Sequence, residues 1–291
     1  MSSILIPVDF SYPCHNAFRF GLQLAQALKL EVVLAHYSLG SLNPGQPLVF
    51  TGDGSLRDSS LERLRDFAKS SGAEEADDAP GLEFPAGVTV HYETEYVFSV
   101  SASIIARASK PDIALVVMAT RSSKKLLDKW LGSTSTTVSE ACQRPVYLIP
   151  ADVKYRPFQK IVVANNDTSA ETYPLGQIEG LATTFQAEIH FVHVEWPDQF
   201  APLRFVPWRL MEKLHREAPA DGRYPYEVVT VENQDVTAGL LEYAATVDAD
   251  LVVIVNRLRN RWRSLLAATL TQNLALRAER AVLVLHTEEG G

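Results

Sequence analysis

Short apolar runs alternate with amphipathic segments along the chain. In the first half, runs rich in valine, leucine and isoleucine predict strands at Ile4–Val8, Glu31–Tyr37, Val88–Glu93, Ile113–Met118 and Val146–Ile149. Apolar residues at helical spacing predict helices at 15–28, through Leu61, Leu64, Phe67 and Ala68, at Ser99–Ser109 and at Ser133–Cys142. Strand and helix therefore alternate, and the half ends on a strand.

This alternation indicates an α/β fold. Strands that are apolar throughout and separated by helices are typical of a parallel sheet that helices cover on both faces. Right-handed crossovers then give a doubly wound open sheet. In such a sheet a ligand binds beyond the carboxyl ends of the strands, where the strand order reverses. The loops after Val8 and after Met118 are therefore the predicted ligand-binding loops.

The second half of the chain repeats the first. The matched segments are Ile4–Ser11 with Ile161–Thr168, Glu31–His36 with Glu188–His193, Pro111–Val117 with Ala249–Val255, and Arg144–Ile149 with Arg280–Leu285. Four matches in one order indicate duplication of a whole domain, and a length of 291 residues suits two domains. We predict domains at 1–150 and 160–291, joined by a short linker with a proline near each end.

Composition excludes several classes of protein. No apolar run approaches the roughly 18 residues that a membrane span needs, and no basic segment precedes an apolar one at the N-terminus. The two cysteines, Cys14 and Cys142, give neither a disulfide framework nor metal-ligand spacing. A net charge of −8 makes the chain a poor partner for nucleic acid. We therefore expect a cytoplasmic protein that binds neither membrane nor nucleic acid.

The strongest candidate site begins at Met118 and continues to a helix that starts near Gly132. The free N–H groups and positive end of a helix bind anions, and the hydroxyls of Ser133 and Thr134 can donate to phosphate oxygens. Asp9 ends the first strand and could accept hydrogen bonds from a ribose or an adenine amino group. The alternative interpretation is structural, with Ser133 and Asp9 serving only as helix caps.

Four segments together resemble the universal stress protein family: Val8–Ser11, Met118–Arg121, Leu131–Ser133 and Cys142–Val146. The resemblance covers both halves, so it implies a tandem member of that family. Members that bind ATP carry Gly-x2-Gly-x9-Gly-(Ser/Thr) at the second loop. This chain has Ala119 and Ser122 at the first two glycine positions and keeps the final Gly-Ser.

These departures leave weakened binding and lost binding both open. Glycine serves where φ is positive or where backbone nearly touches a phosphate, and alanine and serine are its smallest replacements. The resemblance implies that Asp9 holds the base or the ribose and that the glycine-type loop wraps the phosphates. The predicted nucleotide-binding residues are Pro7, Val8, Asp9, Met118, Ala119, Ser122, Gly132, Ser133 and Thr134.

The second copy departs further from the family motif. Asn166 stands where the first copy has Asp9, and Ala268-Thr269 replaces the Gly-Ser pair. By the flanking matches, the loop that starts at Asn256 is two residues shorter and contains no glycine. Phosphate binding of the family type is therefore expected in the first domain only.

The remaining polar residues give weaker signals. Arginines and lysines cluster in both loops, at Arg257, Arg259, Arg261 and Arg263, and at Arg121, Lys124, Lys125 and Lys129. They either dock an anion or acidic partner or form a solvated surface. His36 and His193 share one strand position, which indicates a role in the fold. No catalytic motif or metal-ligand set is present in the sequence.

The leading hypothesis is a cytoplasmic stress-response protein that binds ATP or AMP in its first domain, with the second domain as a structural or regulatory partner. The alternative is an interaction scaffold that binds proteins and no nucleotide. An enzyme acting on nucleotides, with weak hydrolysis, is a third class, for which the sequence offers no positioned base or metal set. The resemblance also implies that the domains pair about a pseudo-twofold axis through Val146–Ile149 and Val282–Leu285, and that two chains associate again as a homodimer.

Overall fold

The computed structural model describes residues 2–40, 54–70, 82–120, 133–165, 174–195, 208–217, 224–257, 273 and 277–287. The chain divides into two compact units, Met1–Tyr155 and Arg156–Gly291. No helix in these described segments is long and apolar enough to cross a membrane.

The first unit is a parallel α/β sheet. Its described strands are β1 (Ser3–Pro7), β2 (Glu31–Leu39), β3 (Val90–Val97), β4 (Ile113–Thr120) and β5 (Val146–Pro150). Its described helices are α1 (Tyr12–Leu28), α2 (Gly54–Lys69), α3 (Val100–Ala108) and α4 (Ser133–Ala141). The strand order is β3-β2-β1-β4-β5, and all neighbours are parallel. Chain order therefore reverses between β1 and β4.

The second unit repeats this arrangement. Its described strands are β6 (Lys160–Ala164), β7 (Glu188–Glu195), β8 (Tyr226–Glu232), β9 (Leu251–Arg257) and β10 (Ala281–Thr287). Its described helices are α5 (Leu175–Phe185), α6 (Trp208–Glu217) and α7 (Val236–Thr246). The order is β8-β7-β6-β9-β10, again with parallel neighbours. The predicted α/β fold with parallel, doubly wound sheets is confirmed.

Helix α1 shows how the sequence builds the first core. A proline in its first turn costs no helical hydrogen bond, and the helix ends at Lys29, which adopts a left-handed conformation with φ 55°. Gly21 lies against β1, where a Cβ atom would collide with Ile6 Cδ1. All five residues of β1 are buried. Close helix–strand approach therefore places the carboxyl end of β1 in the centre of the unit.

The duplication extends to backbone detail. Gln186 lies 157 residues after Lys29, ends α5 and has φ 53°. Farther along, Ser99 accepts a hydrogen bond from Ala102 N–H at 3.4 Å and so caps α3. Asp235 caps α7 in the same way, with Thr237 N–H at 2.8 Å. The two units therefore use the same residue positions to start and end matching helices.

Strand register corrects the expected length of the second loop. Paired residues on neighbouring strands show which residues of the two units are equivalent. In the first unit Ile4 pairs with Leu115, and Val116 with Val146. In the second unit Ile161 pairs with Leu251, and Val252 with Val282. The same 31 residues separate Leu115 from Val146 and Leu251 from Val282. The prediction of a loop two residues shorter was wrong. A register shift near the start of β4 displaces the pairing by one residue and so accounts for one of the two.

Strand β3 begins two residues later than predicted and extends four residues farther. Gly87, with φ 82°, lies in a turn in which Val88 N–H donates to Pro85 O at 3.1 Å. This turn delays the start of the strand. As the last strand in the order of its unit, β3 is mostly half-buried or exposed, and only Val97 at its end is buried. Residues 94–97 therefore contain no apolar run that would have predicted them.

Candidate functional site

The candidate site lies at the carboxyl ends of β1 and β4. These neighbouring strands mark the reversal of chain order in the first unit, which is where doubly wound sheets bind their ligands. Pro7, the last residue of β1, is buried and pairs with Ala35. The predicted residues Pro7, Val8 and Asp9 therefore lie at one wall of this position.

Hydrogen bonds fix the backbone after β1. Val8 N–H donates to Ala35 O at 2.8 Å, and Val8 O lies 2.8 Å from His36 Nδ1. The other ring nitrogen of His36 lies 3.0 Å from Ser38 Oγ. His36 thus holds the loop that presents Asp9, which agrees with the structural role predicted for this histidine.

Asp9 is exposed and already engaged by its own loop. Its Oδ1 accepts hydrogen bonds from Ser11 N–H at 3.0 Å and from the Cys14 thiol at 3.1 Å. Burial, followed by the nearby Asp9 carboxylate, raises the pKa of Cys14 to about 12. The thiol therefore stays protonated near neutral pH and acts as a donor to Asp9 rather than as a nucleophile.

Phe10 places a cation beside this loop. Its φ of 66° is left-handed, and its ring centroid lies 4.3 Å from that of His36. The guanidinium carbon of Arg63, on α2, lies 4.1 Å from the Phe10 centroid, within the range of a cation–π contact. Arg63 is exposed, so a positive charge lies beside the loop that carries Asp9 and Phe10.

Strand β4 contributes a residue that motif comparison missed. Met118 is buried and Ala119 is half-buried. Thr120 is 1% exposed, and its Oγ1 has no hydrogen-bond partner within the described chain. Thr120 occupies one of the unspecified positions of the glycine motif, so the family pattern gives no signal there. Only the combination of burial and an unpartnered hydroxyl draws attention to it.

The predicted phosphate-binding residues are placed only in part. Helix α4 begins at Ser133, and Thr134 is half-buried in its first turn. N–H groups in the first turn of a helix have no partner within that helix and can bind an anion. Ser122 and Gly132 lie outside the described residues.

Comparison with known proteins identifies the family to which the chain belongs. Residues 1–150 and 157–286 each match the model of the universal stress protein family. The chain belongs to the universal stress protein family. No curated protein matches the chain.

Two solved structures share this fold over almost the whole chain, and a third is similar to part of it. A universal stress protein from Archaeoglobus fulgidus DSM 4304 is 16% identical, with 98% of each chain covered and a TM-score of 0.68. A functionally unknown protein from Pseudomonas aeruginosa is 17% identical, with 99% of this chain and 93% of its own covered and a TM-score of 0.54. A universal stress protein in complex with cAMP is 22% identical, with 46% of this chain and 100% of its own covered and a TM-score of 0.36.

The second universal stress protein domain has different residues at the equivalent position. Asn165 follows β6 where Val8 follows β1, and it is 7% exposed. On the next strand, the corrected register aligns Asn256 of β9 with Thr120 of β4. Asn256 pairs with His286 of β10, and both are buried. The second domain thus carries amide and imidazole groups at its strand ends.

Several predicted features lie beyond the described segments. Asn166, the counterpart of Asp9, is one of them. The others are the basic residues Arg121, Lys124, Lys125, Lys129, Arg259, Arg261 and Arg263, together with the side chain of Arg257 and the Ala268-Thr269 pair. Among the residues that are described, no group of three histidine, cysteine, aspartate or glutamate side chains could hold a metal ion.

The histidines of the second domain have identifiable contacts. His193 repeats the role of His36, since its Nδ1 lies 3.2 Å from Asn165 O. His190 is buried, and its Nδ1 lies 2.8 Å from the Tyr243 hydroxyl. Neighbouring residues on a strand alternate between faces, so these two histidines, three positions apart, point to opposite faces.

Proposed function

We propose that this universal stress protein is a cytoplasmic stress-response protein that binds an adenine nucleotide, ATP or AMP, in its first domain. The observation that carries the proposal is the Thr120 hydroxyl. It is buried at the carboxyl end of β4 and unpartnered among the described residues. It also ends β4, the strand next to β1, at the place where the strand order reverses and such sheets bind ligands.

The chemistry of the surrounding residues suits a nucleotide. The Asp9 carboxylate can accept from ribose hydroxyls or from the adenine amino group. The hydroxyls of Thr120, Ser133 and Thr134 can donate to phosphate oxygens, together with the N–H groups at the start of α4. Ala119 keeps the wall beside the phosphates small, and Ser122 and Gly132 complete the motif in sequence.

The asymmetry between the domains supports binding in the first one. A carboxylate at position 9 has an uncharged amide, Asn166, as its counterpart. The Gly132-Ser133 pair has Ala268-Thr269 as its counterpart, and a Cβ atom at the glycine position restricts approach of the backbone to a phosphate. In this proposal the second domain is a structural or regulatory partner.

A second candidate function is a scaffold that binds proteins and no nucleotide. One observation favours it: Asp9 Oδ1 already accepts hydrogen bonds from Ser11 N–H and Cys14 Sγ. A carboxylate used in this way serves the loop that precedes α1. The two functions differ in whether Asp9 has any effect on ligand affinity.

Calorimetry of an Asp9→Asn variant tests the proposal. Asparagine keeps an acceptor oxygen for the loop but removes the charge from the ligand contact. We expect ATP and AMP affinity to fall about ten- to a hundredfold, since a charge-assisted hydrogen bond contributes roughly 1.5–3 kcal/mol. Asn166→Ala is the matched control in the second domain and should leave affinity unchanged. Equal affinity for Asp9→Asn and wild type would contradict the assigned role of Asp9.

A further inference from the structure

The second domain contains a buried carboxamide whose side chain makes no hydrogen bond. Asn165 is 7% exposed, and neither its Oδ1 nor its Nδ2 has a partner in the described part of the chain. Its backbone is fully used, because its N–H donates to Val192 O at 2.8 Å and its carbonyl lies 3.2 Å from His193 Nδ1. The main chain is therefore satisfied, and the side-chain amide is not.

The fold does not need a polar side chain at this place. Val8 occupies the same position in the first domain, 157 residues earlier, and is 6% exposed. It makes the same two backbone contacts, with Ala35 O and His36 Nδ1. Burying an amide without partners destabilises a protein, whereas a valine there does not. The amide must therefore be explained by something other than support of the backbone.

Its position is one at which such sheets bind ligands. Asn165 directly follows β6, and β6 lies between β7 and β9, where the chain order of the second sheet reverses. Continuing the strand register places His193 on one side of Asn165 and Val255 on the other. The two residues directly opposite Asn165 are thus an imidazole and a valine, while Glu195 and Arg257 lie two residues farther along these strands. The residues in direct register therefore favour an uncharged ligand group at the amide.

The hydrogen-bonding capacity of the group defines the ligand class. A carboxamide offers two N–H donors beside an oxygen that accepts two hydrogen bonds. Its natural complement is a second carboxamide, which can form two antiparallel N–H···O bonds with it. We propose that the second domain binds a small neutral ligand that bears a carboxamide group, through Asn165. This site is separate from the nucleotide site of the first domain and does not rest on it.

Nicotinamide is a suitable probe, because two analogues vary only the relevant group. 3-Acetylpyridine keeps the carbonyl acceptor and loses the donor, and nicotinate replaces the amide with a charged carboxylate. In the ¹⁵N-labelled full chain, the side-chain amide signals of Asn165 are those that vanish in Asn165→Leu. We expect millimolar nicotinamide to shift these signals, 3-acetylpyridine to bind about tenfold more weakly, and nicotinate not to bind.

Stability of the ligand-free chain gives a second readout. Asn165→Leu keeps the approximate shape and removes the unpaired amide, so the melting temperature should rise while nicotinamide affinity falls at least about tenfold. Asn165→Val, which copies the first domain, should behave the same way if leucine is not accommodated. Asn16→Leu is the matched control, because the Asn16 amide donates to Pro150 O and Val153 O at 2.9 and 2.7 Å. Its melting temperature should fall and its nicotinamide affinity should not change.

Two results would overturn the proposal as a whole, and a third would overturn its restriction to uncharged ligands. One is the absence of any nicotinamide shift at the Asn165 side-chain signals, which would exclude the ligand class. The other is a fall in melting temperature for both Asn165→Leu and Asn165→Val, which would show that the amide has a structural partner such as a bound water. Equal binding of nicotinate and nicotinamide would contradict the uncharged character of the site.

Discussion

Replacement of Thr120 by valine should have opposite effects on stability and on nucleotide binding. Valine has nearly the same shape and lacks only the hydroxyl, which is 1% exposed and unpartnered among the described residues. Burying such a hydroxyl costs roughly 1–2 kcal/mol, within the range for unsatisfied polar groups. Thr120→Val should therefore raise the melting temperature of the ligand-free protein by about 2–8 °C.

The same change should weaken nucleotide binding. A hydroxyl that donates to a charged phosphate contributes roughly 1.5–3 kcal/mol, so affinity for ATP should fall about ten- to a hundredfold. Thr94→Val is a matched control, since Thr94 Oγ1 is also buried and unpartnered within the described chain but lies on β3, two strands from β1. The Thr94→Val protein should melt at a higher temperature than wild type, and its ATP affinity should be unchanged.

Thermal melting without ligand and calorimetry with ATP measure both effects on the same samples. A Thr120→Val protein that melts at a lower temperature and binds ATP as tightly as wild type would refute the reasoning. That result would mean that the hydroxyl has a structural partner and no role at the ligand.

Further predictions concern the thiol, the core and the domain pair. Burial and Asp9 raise the Cys14 pKa from 9.0 to about 12, so the folded state favours the protonated thiol. The thiol's contribution to stability should be complete below pH 9 and be lost as pH rises towards 12, which alkaline melts would show. Thiol-specific alkylation at pH 8 should be slow until the protein unfolds. Gly21→Ala should destabilise the protein by about 1–3 kcal/mol in chemical denaturation because its Cβ would meet Ile6, and an unchanged midpoint would contradict the close packing. A chain of residues 1–155 should self-associate through its last strand, so light scattering that shows a stable monomer at high concentration would count against pairing of the two domains through their final strands.

Apolar patterning predicted most of the fold because buried strands and helix faces leave a strong signal. The duplication was visible because Ile4 and Ile161 begin matching segments whose spacing holds through the next strand. Strand β3 was predicted poorly, since a strand that is only partly buried need not be apolar. The register shift in β4 was not predictable, because a single displaced residue leaves the apolar run intact.

The candidate site was predicted less completely than the fold. Asp9 was identified from its place after an apolar strand, but its hydrogen bonds with Ser11 and Cys14 depend on the path of the loop. Thr120 and Asn165 carried no sequence signal, because a threonine or an asparagine is ordinary in a loop or at the end of a strand. Their importance arises from burial without hydrogen-bond partners, which only side-chain positions reveal.

The central claim is that the first domain binds an adenine nucleotide, and a calorimetric titration of the full chain with ATP and with AMP tests it most directly. The account predicts one site per chain, lost or strongly weakened in Asp9→Asn and Thr120→Val and retained in Asn166→Ala. Two equivalent sites would contradict it, as would no measurable binding of either nucleotide at millimolar concentration. The absence of binding would favour the scaffold function, and its first explanation would be that Ala119 and Ser122 stand where the family motif has glycine.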